Sequence, residues 1–220
     1  MKILAIYGHG GLGREVSELA RCIQEKESRW QRTIFVDDLT QPNSLVDLDL
    51  LTFEEVQRKY SSDEIEFSIA VGEPAVRADL FERVSQRGYP LVALIHPSVT
   101  VPRDTSIGAG AIICQGCFIS CGVVVGRNVL LQPNLSVGHD CNIGDHSVLS
   151  TFVSLAGACR VGARSYLGMS VPVKENTTIG DDVIVGMGSV VVRSIDSGVV
   201  ALGNPARPMS VNDKKRVFQR

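Results

Sequence analysis

The chain has 220 residues, a formal charge of −2, 44% hydrophobic and 21% charged residues. That length buries a sizeable core in one or two domains, and the near-neutral balance offers no basic patch for nucleic acid or an anionic membrane. No apolar run approaches the roughly 18 residues that span a bilayer, and the N-terminus lacks a secretory h-region, so a cytoplasmic protein without membrane insertion is expected.

The first 90 residues alternate strand and helix. Residues 3–7 read as a buried strand, and the loop Gly8-His9-Gly10-Gly11-Leu12-Gly13 opens a helix to about residue 26. Strands follow at 33–37 and 67–71, helices at 53–60 and 75–87, and residues 91–95 lead onward as a strand. This is a βαβαβ unit on a parallel sheet, an α/β half-Rossmann-like domain at 1–90. The loop matches G-x-G-x-x-G between strand and helix, and Asp37 ends the second strand. In that pattern loop amides and the helix N-terminus hold a diphosphate and the acid holds a ribose hydroxyl. Arg14, in the first helical turn, is placed to meet a phosphate, and His9 to touch a ligand. A dinucleotide domain uses two such halves, so a nucleotide carrying a sugar fits the length better. The competing reading of the same glycines is a plain strand-to-helix turn.

From Ile95 to Val191 an Ile, Val or Leu stands at every sixth position, seventeen in succession, with a second column of mostly small residues four places later. A strict period of six is neither helix nor ordinary strand and specifies a solenoid. Three hexapeptides make a triangular coil of 18 residues, with the aliphatic side chains inside. Gly often follows the aliphatic residue, as at Gly108, Gly126, Gly138 and Gly144, and is read as the residue that lets the backbone turn. The solenoid domain is expected over 91–198 and a polar tail over 199–220, with Lys214-Lys215-Arg216 as a solvated helix face. Cys114, Cys117 and Cys121 imitate a metal motif, but Cys117, Cys141 and Cys159 fall in the small inward column, where thiols pack as small hydrophobes. No metal site is expected.

His139 lies two residues after the aliphatic Val137, on the outer surface near a corner, with Gly157 18 residues ahead and Cys121 18 behind. An imidazole beside an uncovered backbone N–H suits acyl transfer, with the base taking the nucleophile's proton and the amide stabilising the oxyanion. Asp140 is placed to orient the other ring nitrogen. A surface histidine followed by a turn aspartate is the competing reading. His146 also points outward, between Asn128 and Arg164, and suggests no catalytic arrangement.

The hexapeptide series, Ile6-Tyr7-Gly8-His9-Gly10-Gly11-Leu12-Gly13-Arg14-Glu15-Val16, Phe35-Val36-Asp37-Asp38, Ala70-Val71-Gly72-Glu73-Pro74, Val137-Gly138-His139-Asp140-Cys141-Asn142-Ile143-Gly144-Asp145 and Gly203-Asn204-Pro205-Ala206-Arg207 together resemble the NeuD/PglD-type sugar acyltransferases of the hexapeptide-repeat superfamily. The resemblance covers essentially the whole chain. It implies a left-handed parallel β-helix, a homotrimer, and acetyl-CoA as co-substrate lying between neighbouring β-helices. It implies His139 as general base oriented by Asp140, and acetyl-CoA against Ala156, Gly157, Asn204 and Pro205. It further implies a nucleotide sugar held by Gly8, His9, Gly10, Gly11, Gly13, Arg14, Asp37 and Gly72. Leu12 and Arg14 depart from the family, many members of which carry His and Lys there; Arg14 keeps the charge, while Leu12 donates no hydrogen bond. The expected reaction is N-acetylation of a nucleotide-linked amino sugar, such as a UDP-4-amino-4,6-dideoxyhexose. O-acetylation of a sugar and a non-catalytic trimeric sugar-nucleotide-binding protein are the alternatives.

Overall fold

A computed structural model describes residues 1–39 and 48–218. The N-terminal half runs β1 (Lys2–Tyr7), α1 (Gly11–Glu27), β2 (Trp30–Val36), β3 (Leu50–Leu51), α2 (Phe53–Lys59), β4 (Ile65–Ile69) and α3 (Pro74–Ser85). All four strands are parallel, in the order β3-β2-β1-β4, and a bridge from Phe67 to Leu91 extends the sheet. Ile3 to Tyr7 are all buried, as a strand covered on both faces requires. Thr52 and Glu55 form a reciprocal capping box at the start of α2. The strand β3 was not expected: two residues carry no alternation to detect.

The second half is a parallel β-helix with three faces. One face stacks Leu94–Ile95, Ile112–Ile113, Leu130–Leu131, Val148–Leu149, Tyr166–Leu167 and Ile184–Val185, and is continued by Val199–Leu202 and the antiparallel Arg207–Val211. A second stacks Phe118–Ile119, Ser136–Val137, Ser154–Leu155 and Pro172–Val173, and a third Ser106–Ile107 through Thr178–Ile179. Paired residues such as Leu131 and Leu149, or Val137 and Leu155, are 18 apart, as the repeat requires. The aliphatic and small columns form one continuous core. Small-column side chains add a polar ladder within it: Cys117 Sγ donates to Gln132 O (3.2 Å), Cys141 Sγ to Ala156 O (3.1 Å) and Ser147 Oγ to Gly162 O (2.7 Å).

The glycines after the aliphatic residues do a different job from the one expected. The left-handed residue of each corner stands three places after the aliphatic one and is often polar, as at Asn128, Asp140, His146 and Asp182. The glycines instead allow close approach: a Cβ on Gly108 would lie 2.5 Å from Arg127 N and one on Gly138 2.8 Å from Gly157 N, both in the next coil.

The two halves share a core. Outward-facing Leu94, Ile112, Leu130 and Val148 of the first face are buried with Leu4, Ile6, Val16, Leu19 and Phe35 of the N-terminal sheet and α1. Beside that seam His146, expected on the surface, is buried, 3.0 Å from Asn128 Nδ2 and edge-on to Phe81 of α3 at 5.3 Å. The repeat register places its Cβ outside the prism, and the N-terminal domain then covers it. The basic run at the C-terminus is likewise not helical.

Candidate active site

The carboxyl ends of β1, β2 and β4 carry the glycine loop, Asp37 and Gly72, the edge where open α/β sheets bind ligands. The loop's glycines divide into two kinds. Gly8 has φ +103° and a Cβ there would lie 2.7 Å from Ala70 O; on Gly13 it would lie 2.2 Å from Gly8 O. The fold demands both. Gly10 and Gly11 have nothing within 4 Å of an added Cβ and no left-handed φ, so the fold leaves open space above their backbone. Arg14 is exposed on the first turn of α1.

Asp37 Oδ2 accepts from His9 N (3.3 Å) and lies 3.6 Å from His9 Nδ1, while Oδ1 accepts from Leu39 N (2.9 Å). His9 is buried against Phe35, and neither ring nitrogen has a hydrogen-bond partner among the described residues. The neighbouring Asp38 is committed to structure. It takes hydrogen bonds from Tyr7 Oη, Phe53 N and Arg83 (2.5, 2.9 and 2.6 Å). Those contacts outweigh its desolvation and hold its pKa below the usual carboxylate value. Of the two acids ending β2, Asp37 is therefore the one beside the loop. Beside Gly72 opens a cleft of about 620 Å³ lined by Leu39, Val71, Glu73, Val76 and the C-terminal Lys214, Arg216 and Phe218.

The second cluster lies at the corner between the second and third faces of the β-helix. His139 Nδ1 is 2.8 Å from Asp140 Oδ2. A carboxylate only accepts, so Nδ1 carries the proton and Nε2 presents its lone pair. The ring lies over Gly157 of the adjoining coil, where an added Cβ would sit 2.5 Å from Nε2. Asp140 lies over Gly122 of the coil on the other side, where the same atom would be 2.6 Å from Oδ1. Each member of the pair thus has a glycine 18 residues away.

The Gly157 N–H makes no hydrogen bond among the described residues. At a different corner of the prism, two residues after the third-face aliphatic position, Arg127 N and Ala163 N are capped by Asp145 and Asp181 at 2.7 and 2.8 Å. At the histidine corner the amide is left open. Ala156 adjoins it, with its carbonyl taken by Cys141. Asn204 and Pro205 stand apart, in the exposed turn between Val199–Leu202 and Arg207–Val211. The neighbouring Gly203 O and Ala206 N bond Val190, the residue before the partner of Val173, about two coils or 10 Å along the prism from Gly157. The geometry brings His139, Asp140, Ala156 and Gly157 together and leaves the other two further along the same side. Among the described residues no group of three or more His, Cys, Asp or Glu side chains could hold a metal ion, and all six cysteines are free thiols.

Residues 3–84 match the PglD N-terminal domain family. The chain is 28% identical to GDP-perosamine N-acetyltransferase of Escherichia coli O157:H7, with 95% of this chain and 97% of that one aligned. The acetyltransferase domain of PglB from Neisseria gonorrhoeae superposes with a TM-score of 0.89 at 30% identity, covering 95% of this chain and all of that one; a second structure of it contains acetyl coenzyme A. PerB from Caulobacter crescentus, in complex with CoA and GDP-perosamine, superposes with a TM-score of 0.87 at 27% identity over 96% of this chain and 98% of that one. With the half-Rossmann sheet, the hexapeptide β-helix and the motifs of both in one order, the chain belongs to the NeuD/PglD-type sugar acyltransferases, built on a left-handed parallel β-helix.

Proposed function

We propose that the protein transfers the acetyl group of acetyl-CoA to the amine of a nucleoside-diphosphate-linked 4-amino sugar, with residues 1–90 holding the sugar nucleotide and 91–198 the acyl donor. The observation that carries this reading is the histidine corner: an imidazole with Nδ1 fixed by Asp140 and Nε2 free, above an uncapped amide. The neutral amine attacks the thioester carbonyl and a C–N bond forms. Nε2 of His139 takes the proton released from nitrogen, Gly157 N–H stabilises the oxyanion, and the C–S bond breaks to release CoA. Asp140 holds the ring in the tautomer this step requires and offsets the charge it acquires. Asp37 and the open backbone at Gly10 and Gly11 receive the nucleotide.

The working enzyme is a homotrimer in this reading. In one chain the N-terminal domain covers the first face of the prism, whereas His139 stands at the corner between the other two. That arrangement favours a cleft served by the His139 of a neighbouring chain rather than by its own. Exposed Phe118 (61%) and Phe152 (57%) on or beside the second face support a packed neighbour there.

The test is CoA release, followed with a thiol reagent, from acetyl-CoA offered with GDP-, UDP- and dTDP-linked 4-amino sugars and their 4-hydroxy counterparts. Release with an amino sugar alone is the expected result. Release with a hydroxyl sugar alone would replace this reading by O-acetylation, and release with none would leave a binding protein.

A further inference from the structure

The last residues of the chain form a wall of the cleft at Gly72, and their side chains alternate. Lys214, Arg216 and Phe218 line the cleft, while the intervening positions fasten the segment to the protein. Lys215 Nζ donates to Asp182 Oδ2 (3.2 Å), and Val217 N donates to both oxygens of Glu73 (3.0 Å each). Phe218 N adds a third bond to Glu73 Oε2 (3.0 Å), and upstream Asn212 Nδ2 donates to Asp182 O (2.8 Å). Glu73 is 6% exposed and caps no amide of α3, so the tail satisfies a carboxylate that burial would otherwise leave short of partners. The Phe218 ring meets Tyr166 edge-on at 5.7 Å, and the space above Gly72 lies between Phe218 and Leu12 of the glycine loop.

Two cations on the same wall of one cleft repel each other and call for an anion. Neither Lys214 nor Arg216 forms an ion pair among the described residues, whereas Lys215 between them does. The facing wall is the carboxyl edge of the sheet, with the α1 N-terminus beside it, itself favourable to negative charge.

We propose that Lys214 and Arg216 bind the diphosphate of the nucleotide sugar, so that the C-terminal tail is the fourth component of the substrate site, beside the glycine loop, Asp37 and Gly72. This rests on the nucleotide-sugar reading above. A guanidinium and an ammonium suit phosphate oxygens by charge-assisted hydrogen bonding. A pair anchored by its neighbours is pre-organised rather than ordered at the moment of binding.

Calorimetric titration with free GDP, UDP and dTDP, and with the corresponding nucleosides, tests the assignment. The wild type is expected to bind one diphosphate more tightly than its nucleoside, with an affinity that falls as salt rises. In the double variant Lys214→Ala/Arg216→Ala that diphosphate should bind roughly 10- to 100-fold more weakly, the nucleoside and the KM for acetyl-CoA staying unchanged. The exchange Lys214→Arg/Arg216→Lys should keep most of the affinity. Diphosphate affinity within twofold of wild type in the alanine variant would overturn the tail assignment while leaving the nucleotide reading intact. So would an equal loss for diphosphate and nucleoside. A wild type that binds none of the three diphosphates would overturn the nucleotide reading, and this assignment with it.

Discussion

Gly157→Ala is a test of the catalytic corner that leaves every titratable group in place. The added methyl would sit 2.5 Å from His139 Nε2, 2.6 Å from Cε1 and 3.1 Å from Cδ2, where unstrained contacts lie near 3.5 Å or beyond. The ring must retreat by about 1 Å or swing to another rotamer. A base displaced by about 1 Å costs roughly 10²-fold, and one swung out of reach roughly 10²- to 10⁴-fold. The stability cost is small because the backbone at 157 has no left-handed φ and the His139 side chain is 61% exposed. A rotamer change there costs about 1 kcal/mol, or about 2–4 °C in Tm for a chain of this size. Steady-state CoA release gives kcat, and circular dichroism gives Tm. Because the methyl acts through the ring, adding Gly157→Ala to His139→Ala should lower kcat little further. Full additivity of the two substitutions, or a single variant within threefold of wild-type kcat, would refute the placement of the base over this glycine.

Asp140 has φ +59°, a conformation Asn accepts readily, so Asp140→Asn removes the charge without straining the corner; kcat should fall about tenfold or more with Tm within 2 °C, and unchanged kcat would remove Asp140 from the mechanism. His146 is held neutral. Burial is the largest cause lowering its pKa below 6.5, and Asn128 Nδ2 faces Nδ1 as a donor because Asn128 Oδ1 accepts from Arg77. The unfolded chain therefore binds the proton more readily, so the stability tied to neutral His146 is complete above about pH 6.5 and is lost as pH falls below it. In thermal melts between pH 7 and 5 the variant His146→Asn, whose Oδ1 replaces Nδ1 and whose residue type tolerates φ +64°, should lose less stability than wild type. Equal slopes would contradict the neutral assignment.

The solenoid was legible because a period of six leaves a mark at every coil, and the register alone put His139 beside Gly157. Asp140 over Gly122 follows from the same arithmetic, which makes glycines on both sides a readable sign of an uncrowded corner. The misreadings share a cause. His146 and the tail are shaped by contacts between halves far apart in sequence, which no local pattern encodes. A signal for the first was nonetheless present. The residue before the inward aliphatic one points outward, and in every third hexapeptide it is apolar: Leu94, Ile112, Leu130, Val148, Tyr166, Ile184. The other two faces mix polar Ser106, Ser136, Ser154, Asn142, Arg160 and Thr178 with apolar Phe118, Val124 and Pro172 at that place. The one face that stays apolar in every coil announces a docked domain, and His146 stands at its margin.

Arg77, on α3, was not singled out from the sequence, and it is the polar tie across that seam. It is fully buried, and the guanidinium donates to Ile69 O (2.6 Å), Val71 O (2.9 Å), Asn128 O (2.7 and 3.1 Å) and Asn128 Oδ1 (2.9 Å). Asn128 Nδ2 returns a bond to Arg77 O (2.9 Å). No carboxylate pairs with it among the described residues. Burial pulls its pKa down to about 9, which still leaves it charged at neutral pH. A charge so placed survives because its N–H groups are matched by carbonyl oxygens from the ends of two domains, and the match fixes how α3 sits on the prism. Arg77→Met keeps the apolar stem and removes the donors, orphaning buried carbonyls on both sides. The cost should be about 3–5 kcal/mol, or roughly 10 °C in Tm at 2–4 °C per kcal/mol. Because the tie is between domains, the loss should come with two resolved unfolding steps in calorimetry, the β-helix melting last on its unbroken core. A single transition within 3 °C of wild type would show that the shared apolar seam holds the halves together without Arg77.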